Sequence, residues 1–318
     1  MIIILTKTPP HMKVYKWIVV NMTATTFFSD FIICFLFDPI PLFPEIACYS
    51  RTWLANVSED ASYVLLCVSI VMLQFTLSST LVAFLYRVTA LGNLAGSLKT
   101  LANYELKYTI TVTYLIGLVP VVIVLITSYQ PRSEMRDVIE AEPQLYFLRD
   151  YGSYLVASKK DSNFIVFQGV WLGSAFLIVG LCAAIAANII INLHKRRDSM
   201  SSRSLELHRS LIAHLILQIT IPAVTTLVPM VILFSTRYVK VPLGAAFWNM
   251  IISQMVALHS PLNTIAIIVA TRHYRRELFR YFRKGLYIFS NGKVNPRPSS
   301  SFTKPESTIM TGIRTTNK

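Results

Sequence analysis

The amino-acid sequence predicts an all-α membrane protein, a bundle of six complete transmembrane helices. Three observations carry that expectation: long apolar runs, a low charge content, and cationic connectors that alternate along the chain. Of 318 residues, 53% are hydrophobic and 14% charged, with a mean hydropathy of +0.52. Ordinary soluble domains carry roughly 25% charged residues. A helix needs about 20 predominantly apolar residues to cross a bilayer core, because its backbone groups must bond within the segment. Residues 17–37, 61–86, 108–129, 164–193, 211–234 and 245–270 each meet that requirement.

The connectors orient the bundle. If the spans alternate, 22 Lys and Arg fall on one side and eight on the other, while ten acids fall on the second side and five on the first. Cytoplasmic loops are enriched in Lys and Arg, so the first side is inside. The net charge of +14 is thus explained by topology and attraction to anionic lipids, and no nucleic-acid role is inferred. Asn56-Val57-Ser58 fits an N-glycosylation acceptor and falls in the first outer loop. Cys34, Cys67 and Cys182 lie within spans. Cys48 lies in the first outer loop and the second, 130–163, has no cysteine, so no disulfide joins the two.

Met1-Ile2-Ile3-Ile4-Leu5 is too short for a signal peptide and reads as the last turn of an apolar helix, stopped by Pro9-Pro10. The expected arrangement is six complete spans plus this stub of a missing first helix, with both ends cytoplasmic. Residues 1–290 form the bundle and 291–318, rich in Pro, Ser, Thr and Lys, a disordered tail. Near 272–286, Tyr274, Leu278, Tyr281 and Phe282 recur at helical spacing among arginines, the pattern of an amphipathic helix on the inner leaflet. The loop 130–163 is long enough to be either a lid over an outward-facing cavity or a solvated, unstructured segment.

Polar residues inside the bilayer are costly and face a bundle interior or a cavity. Asp30 is the one acid deep within a span. It reads first as a protonated or hydrogen-bonded link between helices, and otherwise as an ion, ligand or switch site. His259 lies at a depth within roughly 5 Å of it and is its expected partner. Asn249, Ser253, Ser260 and Asn263 share a stripe of the last span, and Gln218 lies in the span before it. Together these seven residues are the expected ligand cavity or interior polar network. Pro222, Pro229 and Pro261 are candidate hinges, since each removes a backbone hydrogen bond. No zinc-hydrolase, phosphate-loop or nucleophile-elbow motif is present, and no metal or cofactor is expected.

Several short segments then resemble one family. Thr8-Pro9-Pro10-His11-Met12-Lys13 before Tyr15-Lys16-Trp17, then Asp30 with Pro41 and Pro44, are its first pieces. Leu207-His208-Arg209-Ser210-Leu211 follows, with Gln218 and Pro222, and then His259-Ser260-Pro261-Leu262-Asn263-Thr264 ending at Tyr274-Arg275. In this order they resemble the nematode serpentine chemoreceptors of the Str superfamily, within it class H (Srh). The resemblance covers nearly the whole chain. It implies a GPCR-like helical bundle in the plasma membrane, in a sensory cilium, detecting an external small molecule and signalling to a heterotrimeric G protein. Arg87, Lys195, Arg196, Arg197, Tyr274 and Arg275 are the expected G-protein-facing residues. Arg87 follows Tyr86 without the acidic neighbour found in many rhodopsin-like receptors. A six-span ligand-gated channel or transporter is the alternative; an enzyme is not expected.

Overall fold

The computed structural model describes residues 5, 13–42, 45–90, 106–158, 161–195, 213, 216–235, 238–239, 245–270 and 272–289. The tail 291–318, the pair Arg196 and Arg197, the stub's first four residues and the segments Thr8–Met12, Pro44 and Leu207–Leu211 lie outside them. Two compact units divide at Leu278 and Phe279. The first unit carries all the membrane-length helices. In the second, the described residues are the C-terminal half of a single helix, α9, Arg272–Phe289.

Among the described residues, five helices are long and apolar enough to cross a membrane. Helix α1, Lys13–Phe31, runs on as a π-helical turn, Ile32–Phe37. Helix α2 covers Ala61–Ala90, α3 Leu106–Thr127, α5 Ser162–Lys195 and α6 Ile216–Ser235. A short helix, α4, Arg132–Ala141, lies between α3 and α5.

The sixth expected span differs. It is two helices, α7, Ala245–Ala257, and α8, His259–Ala270, meeting at Leu258. Pro261 explains the break: it has no N–H to give the carbonyl of Ala257, and its ring crowds that carbonyl. The ladder resumes at once, since the Leu262 N–H reaches the Leu258 oxygen at 3.1 Å.

Helix α2 is the most enclosed span, and it packs on α1, α3 and α5. Its polar side chains are kept inside: Gln74, Ser78 and Ser79 are all buried. Several hydroxyls return to their own helix, as Ser69 does to the Leu65 carbonyl (2.7 Å) and Thr80 to that of Thr76 (3.0 Å). Others cross between helices. Thr25 of α1 meets Ser79 at 3.2 Å, and Ser174 of α5 donates to Gln74 at 3.3 Å. Between helices in lipid no water-driven hydrophobic gain is available, so close packing and such bonds hold the bundle. Gly117 of α3 gives the closest approach: a Cβ there would stand 2.8 Å from Ser78 Oγ and 2.9 Å from Gln74 Nε2.

The loops at one end of the bundle fold together. Strand β1, Pro39–Pro41, and β2, Ala47–Ser50, form a hairpin, and β3, Tyr154–Val156, adds antiparallel to β2. The long second loop is therefore structured, with α4, a 3₁₀ helix over Pro143–Asp150, and β3. Ala47, Met135, Ile139, Leu145, Leu148, Tyr154 and Val156 make its own small core. Each fully buried Leu or Ile here contributes about 1.5–3 kcal/mol, because this layer lies beyond the spans, where water is the alternative. Surface ion pairs add little: Arg136–Glu59 (3.8 Å) and Arg149–Glu140 (3.6 Å) are open to solvent.

Because Gly117 is wedged against α2 whereas Gly173 has nothing within 4 Å of an added Cβ, their substitutions should differ. Gly117→Val is expected to lower stability by about 1–3 kcal/mol. Gly173→Val should leave the thermal midpoint in detergent micelles close to the parent value.

Candidate functional site

A cavity of about 430 Å³ lies beneath the two folded loops. Its walls come from α1, α2, α3, α5, α6 and α7, and its roof from the strands. The side chains are mainly apolar: Ile70 and Leu73 of α2, Phe164, Phe167 and Trp171 of α5, and Phe234 of α6 are among them. The Phe164 and Phe167 rings lie 6.0 Å apart, and Trp171 meets Phe234 edge-on at 6.1 Å. Asp38, Gln130 and Asp161 stand where the helices meet the loops. Asp161 is already engaged, accepting from Gln130 Nε2 at 2.6 Å and from the Asn163 N–H at 2.9 Å.

The roof is tied to the helices by their own unfinished hydrogen bonds. The last carbonyls of a helix lack partners within it. At the end of the first span, Thr52 Oγ1 donates to the Leu36 carbonyl at 2.8 Å and Ser50 Oγ to that of Phe37. Asp38 then turns the chain in the left-handed conformation (φ 40°), which a short polar side chain tolerates. At the start of α2, Ser153 of the second loop accepts the Ser62 N–H at 2.9 Å. Asn249 of α7 donates to the Pro41 carbonyl of β1 at 2.8 Å. Arg132 lies on the Tyr154 ring, 3.5 Å from its centroid, and donates to the Gly152 carbonyl at 3.3 Å. Cys48 sits in the cavity wall, where burial pushes its thiol up to about 12; it stays protonated at neutral pH and behaves as a small apolar group.

One turn deeper, three spans depart from regular α-helix at a common layer. The first has its π turn at Ile32–Phe37, α6 has one at Ala223–Leu227, and the last breaks at Leu258. The first π turn lines the cavity through Ile33, Cys34 and Phe37, whereas the other two irregularities lie next to wall residues, Met230 beyond the second π turn and Val256 and Ala257 before the break. Side chains repair the backbone here. Asp30 Oδ2 accepts the Ser260 N–H at 3.0 Å, capping the start of α8. His259 is buried, and its Nδ1 lies 2.9 Å from Thr225 Oγ1 inside the α6 π turn. The expected Asp30–His259 pair is thus replaced by two neighbouring contacts. Matched depth brought the helices' residues level, but the imidazole points to α6 and the carboxylate takes the adjacent backbone donor.

Of the seven polar residues expected at a cavity or interior network, Ser253 lines the cavity. Asp30, His259 and Ser260 belong to the layer below it. Gln218 is buried and donates to Met22 Sδ at 3.5 Å, joining α6 to α1. Asn249 serves the roof, and Asn263 is buried in α8. Pro222 precedes the α6 π turn and Pro229 follows it; Pro261 follows the break. At the other end of the chain's helices, Lys195 and Arg275 are exposed, Arg87 lies in the last turn of α2, and Tyr274 lies in α9. Asn56 is exposed in the 3₁₀ turn Trp53–Asn56. The residues that sequence reasoning passed over are the apolar walls and Trp171. An aromatic pair at i and i+4, Phe167 and Trp171, was the available signal. Among the described residues, no cluster of acidic, histidine and cysteine side chains could hold a metal ion.

If Asp30 caps α8, removing its oxygen should cost about 0.5–2 kcal/mol. Asp30→Ala is therefore expected to lower the thermal midpoint and surface level, while Asp30→Asn, whose amide oxygen still accepts, should recover most of the loss. Equal losses in both would show that the cap is not the source of the effect.

A family model described as "Serpentine type 7TM GPCR chemoreceptor Srh" matches residues 1–284. No curated protein and no solved structure matches the chain. The match covers all the membrane-length helices, both folded loops and the cavity, and agrees with an integral multi-pass protein of the plasma membrane. By that match, the chain belongs to the Srh family of serpentine seven-transmembrane chemoreceptors.

Proposed function

We propose that this chain is a G-protein-coupled chemosensory receptor whose external small-molecule ligand occupies the cavity beneath the two folded loops. One observation carries the reading: among the described residues, the π turn of the first span lies in the cavity wall, and the wall residues Met230 and Ala257 lie close in sequence to the α6 π turn and to the break in the last span. A ligand can shift an equilibrium only by interacting differently with its two states. Here the walls that would touch a ligand are continuous with the π turns of α1 and α6 and with the last turn of α7. Repacking at those walls changes the strain on the Asp30–Ser260 and Thr225–His259 bonds one turn deeper. The spans then carry the change to their basic ends, where Arg87, Lys195, Arg196, Arg197, Tyr274 and Arg275 face the G protein and anionic lipid heads.

Two features support the orientation this requires. By sequence, with alternating spans, the excess of Lys and Arg falls on the side opposite the loops 38–60 and 130–163, and Asn56, in an acceptor tripeptide for glycosylation, is exposed beside the roof. Volume supports the ligand class, since small-molecule sites enclose about 300–1,000 Å³ and are lined mainly by apolar groups.

The test is a second-messenger assay in cells expressing the full chain with a G-protein α subunit, screened with small organic compounds. Responses should be found, and Ala257→Phe, which fills the cavity, should weaken them at least tenfold at equal surface level. A ligand-gated current that persists with G proteins blocked would contradict the proposal.

A further inference from the structure

We infer that the ligand is a primary amine with an apolar body, its ammonium held by Asp38, Ser253 and Gln254 in a corner between the first and last spans. This inference rests on the proposed ligand site and names the chemistry that the site would select.

Two cross-links between those spans fix the corner. Lower down, Asp30 accepts the Ser260 N–H at 3.0 Å; at the roof, Asn249 donates to the Pro41 carbonyl at 2.8 Å. Asp38 follows Asp30 by eight positions and Gln254 precedes Ser260 by six. At helical rise they stand about 12 and 9 Å above the lower link, and Ser253 lies one residue higher than Gln254. The three residues are thus nearly level on neighbouring spans. All three line the cavity and are exposed.

What they offer a ligand is acceptors. Among the described residues, the side chains of Asp38 and Gln254 have no hydrogen-bond or ion-pair partner. Ser253 Oγ gives its proton to the Asn249 carbonyl at 2.9 Å, so toward a ligand it can only accept. The other polar groups of the wall are spent. Ser69 Oγ donates to the Leu65 carbonyl (2.7 Å), Ser128 Oγ to that of Val124 (2.6 Å), and the Gln130 amide to Asp161 (2.6 Å). Tyr63 Oη donates to the Leu125 carbonyl, and the Trp171 indole nitrogen is enclosed. A primary ammonium brings three donors to these three acceptors, and hydrogen bonds to an ionised group are roughly twice as strong as neutral ones.

Charge selects the same class. The described wall has no Lys, Arg or His and includes the carboxylates of Asp38 and Asp161. Arg51 is exposed, lies outside the wall and forms no ion pair with Asp38; Lys159 and Lys160 lie outside the described residues. A carboxylate ligand would therefore meet like charge at the loop end. Further in, Ile70, Leu73 and Phe167 leave room for an apolar body, in a space of about 430 Å³ against the ~150 Å³ that holds a benzene.

Compounds sharing one apolar body test this: 4-tert-butylcyclohexylamine, its N,N,N-trimethylammonium derivative, 4-tert-butylcyclohexanol and 4-tert-butylcyclohexanecarboxylate. Each is added at neutral pH to the full chain in phosphatidylcholine nanodiscs without G protein. Binding is read as ligand-dependent thermal stabilisation. The amine is expected to bind roughly ten- to a hundredfold tighter than the alcohol, the span of one charged hydrogen bond. The trimethylammonium, which keeps the charge but has no N–H, should bind several-fold more weakly than the amine, and the carboxylate most weakly. Asp38→Asn keeps the left-handed turn, which asparagine also tolerates, and should bring the amine down to the alcohol's affinity. Gln254→Met, remote from that turn, should weaken the amine at least threefold, and Ala257→Phe should remove binding of the whole panel. An amine no tighter than the alcohol, an advantage that survives Asp38→Asn or Gln254→Met, or preference for the trimethylammonium or carboxylate would overturn the inference while leaving the cavity as a ligand site. Amine binding that survives Ala257→Phe, or no stabilisation by any member, would remove the cavity as the site, and this inference with it.

Discussion

The pairing of β2 with β3 is the contact on which the outer half of this structure depends. It joins two loops about a hundred residues apart through three paired positions, Ala47 with Val156, Cys48 with Leu155, and Tyr49 with Tyr154. Without it the hairpin and the second loop would have no common surface, and the small core of Ile139, Leu145 and Leu148 would have nothing to close on. With it, the strands become a roof. Ser50 and Thr52 finish the first span, Ser153 starts α2, and Asn249 fastens α7. The second loop has no cysteine, so strand pairing does the work that a disulfide would otherwise do.

Below the roof the governing constraint changes from burial to satisfaction of the backbone. In a bilayer an unpaired N–H or C=O costs several kcal/mol, so irregular backbone survives only where protein groups replace the missing ladder bonds. The layer around Asp30, Thr225, His259 and Ser260 meets that condition. It concentrates three departures from α-helix beside one cavity. Helix interiors elsewhere, such as α2 with its hydroxyls turned back onto their own carbonyls, are regular and closely packed. The bundle thus has a stiff centre and a deformable layer, and the deformable layer is where a ligand would press.

Much of this was legible beforehand, and the reasons are specific. Spans are written directly in hydropathy, because lipid demands a continuous apolar run; the first four expected spans match the helices Lys16–Phe37, Ala61–Tyr86, Tyr108–Thr127 and Ser162–Ile191 within a few residues. Family membership was also readable, from short segments in a fixed order. The break in the last span was foreshadowed by Pro261 but not located, since a proline announces a lost bond and not how the chain divides. The roof was illegible. Strands of three and four residues are too short to show a period, and their pairing is non-local. The cavity was illegible for another reason: Ile70 or Phe167 looks the same in sequence whether it faces lipid or a void. Asp30 was visible as an anomaly, yet its partner was not, because the Ser260 N–H becomes a free donor only once α8 begins at His259.

Disulfide trapping across the roof tests the central claim most directly. Native Cys48 stands opposite Leu155, whereas the side chains of Tyr154 and Val156 project from the other face of the strand. Only the opposite position satisfies the narrow geometry of a disulfide. Leu155→Cys, expressed where oxidation accompanies folding, should give a non-reduced digest in which residues 48 and 155 are linked, and Tyr154→Cys or Val156→Cys should give none. A link at 154 or 156, or no link at 155 in protein that reaches the cell surface, would contradict the roof and the account built on it.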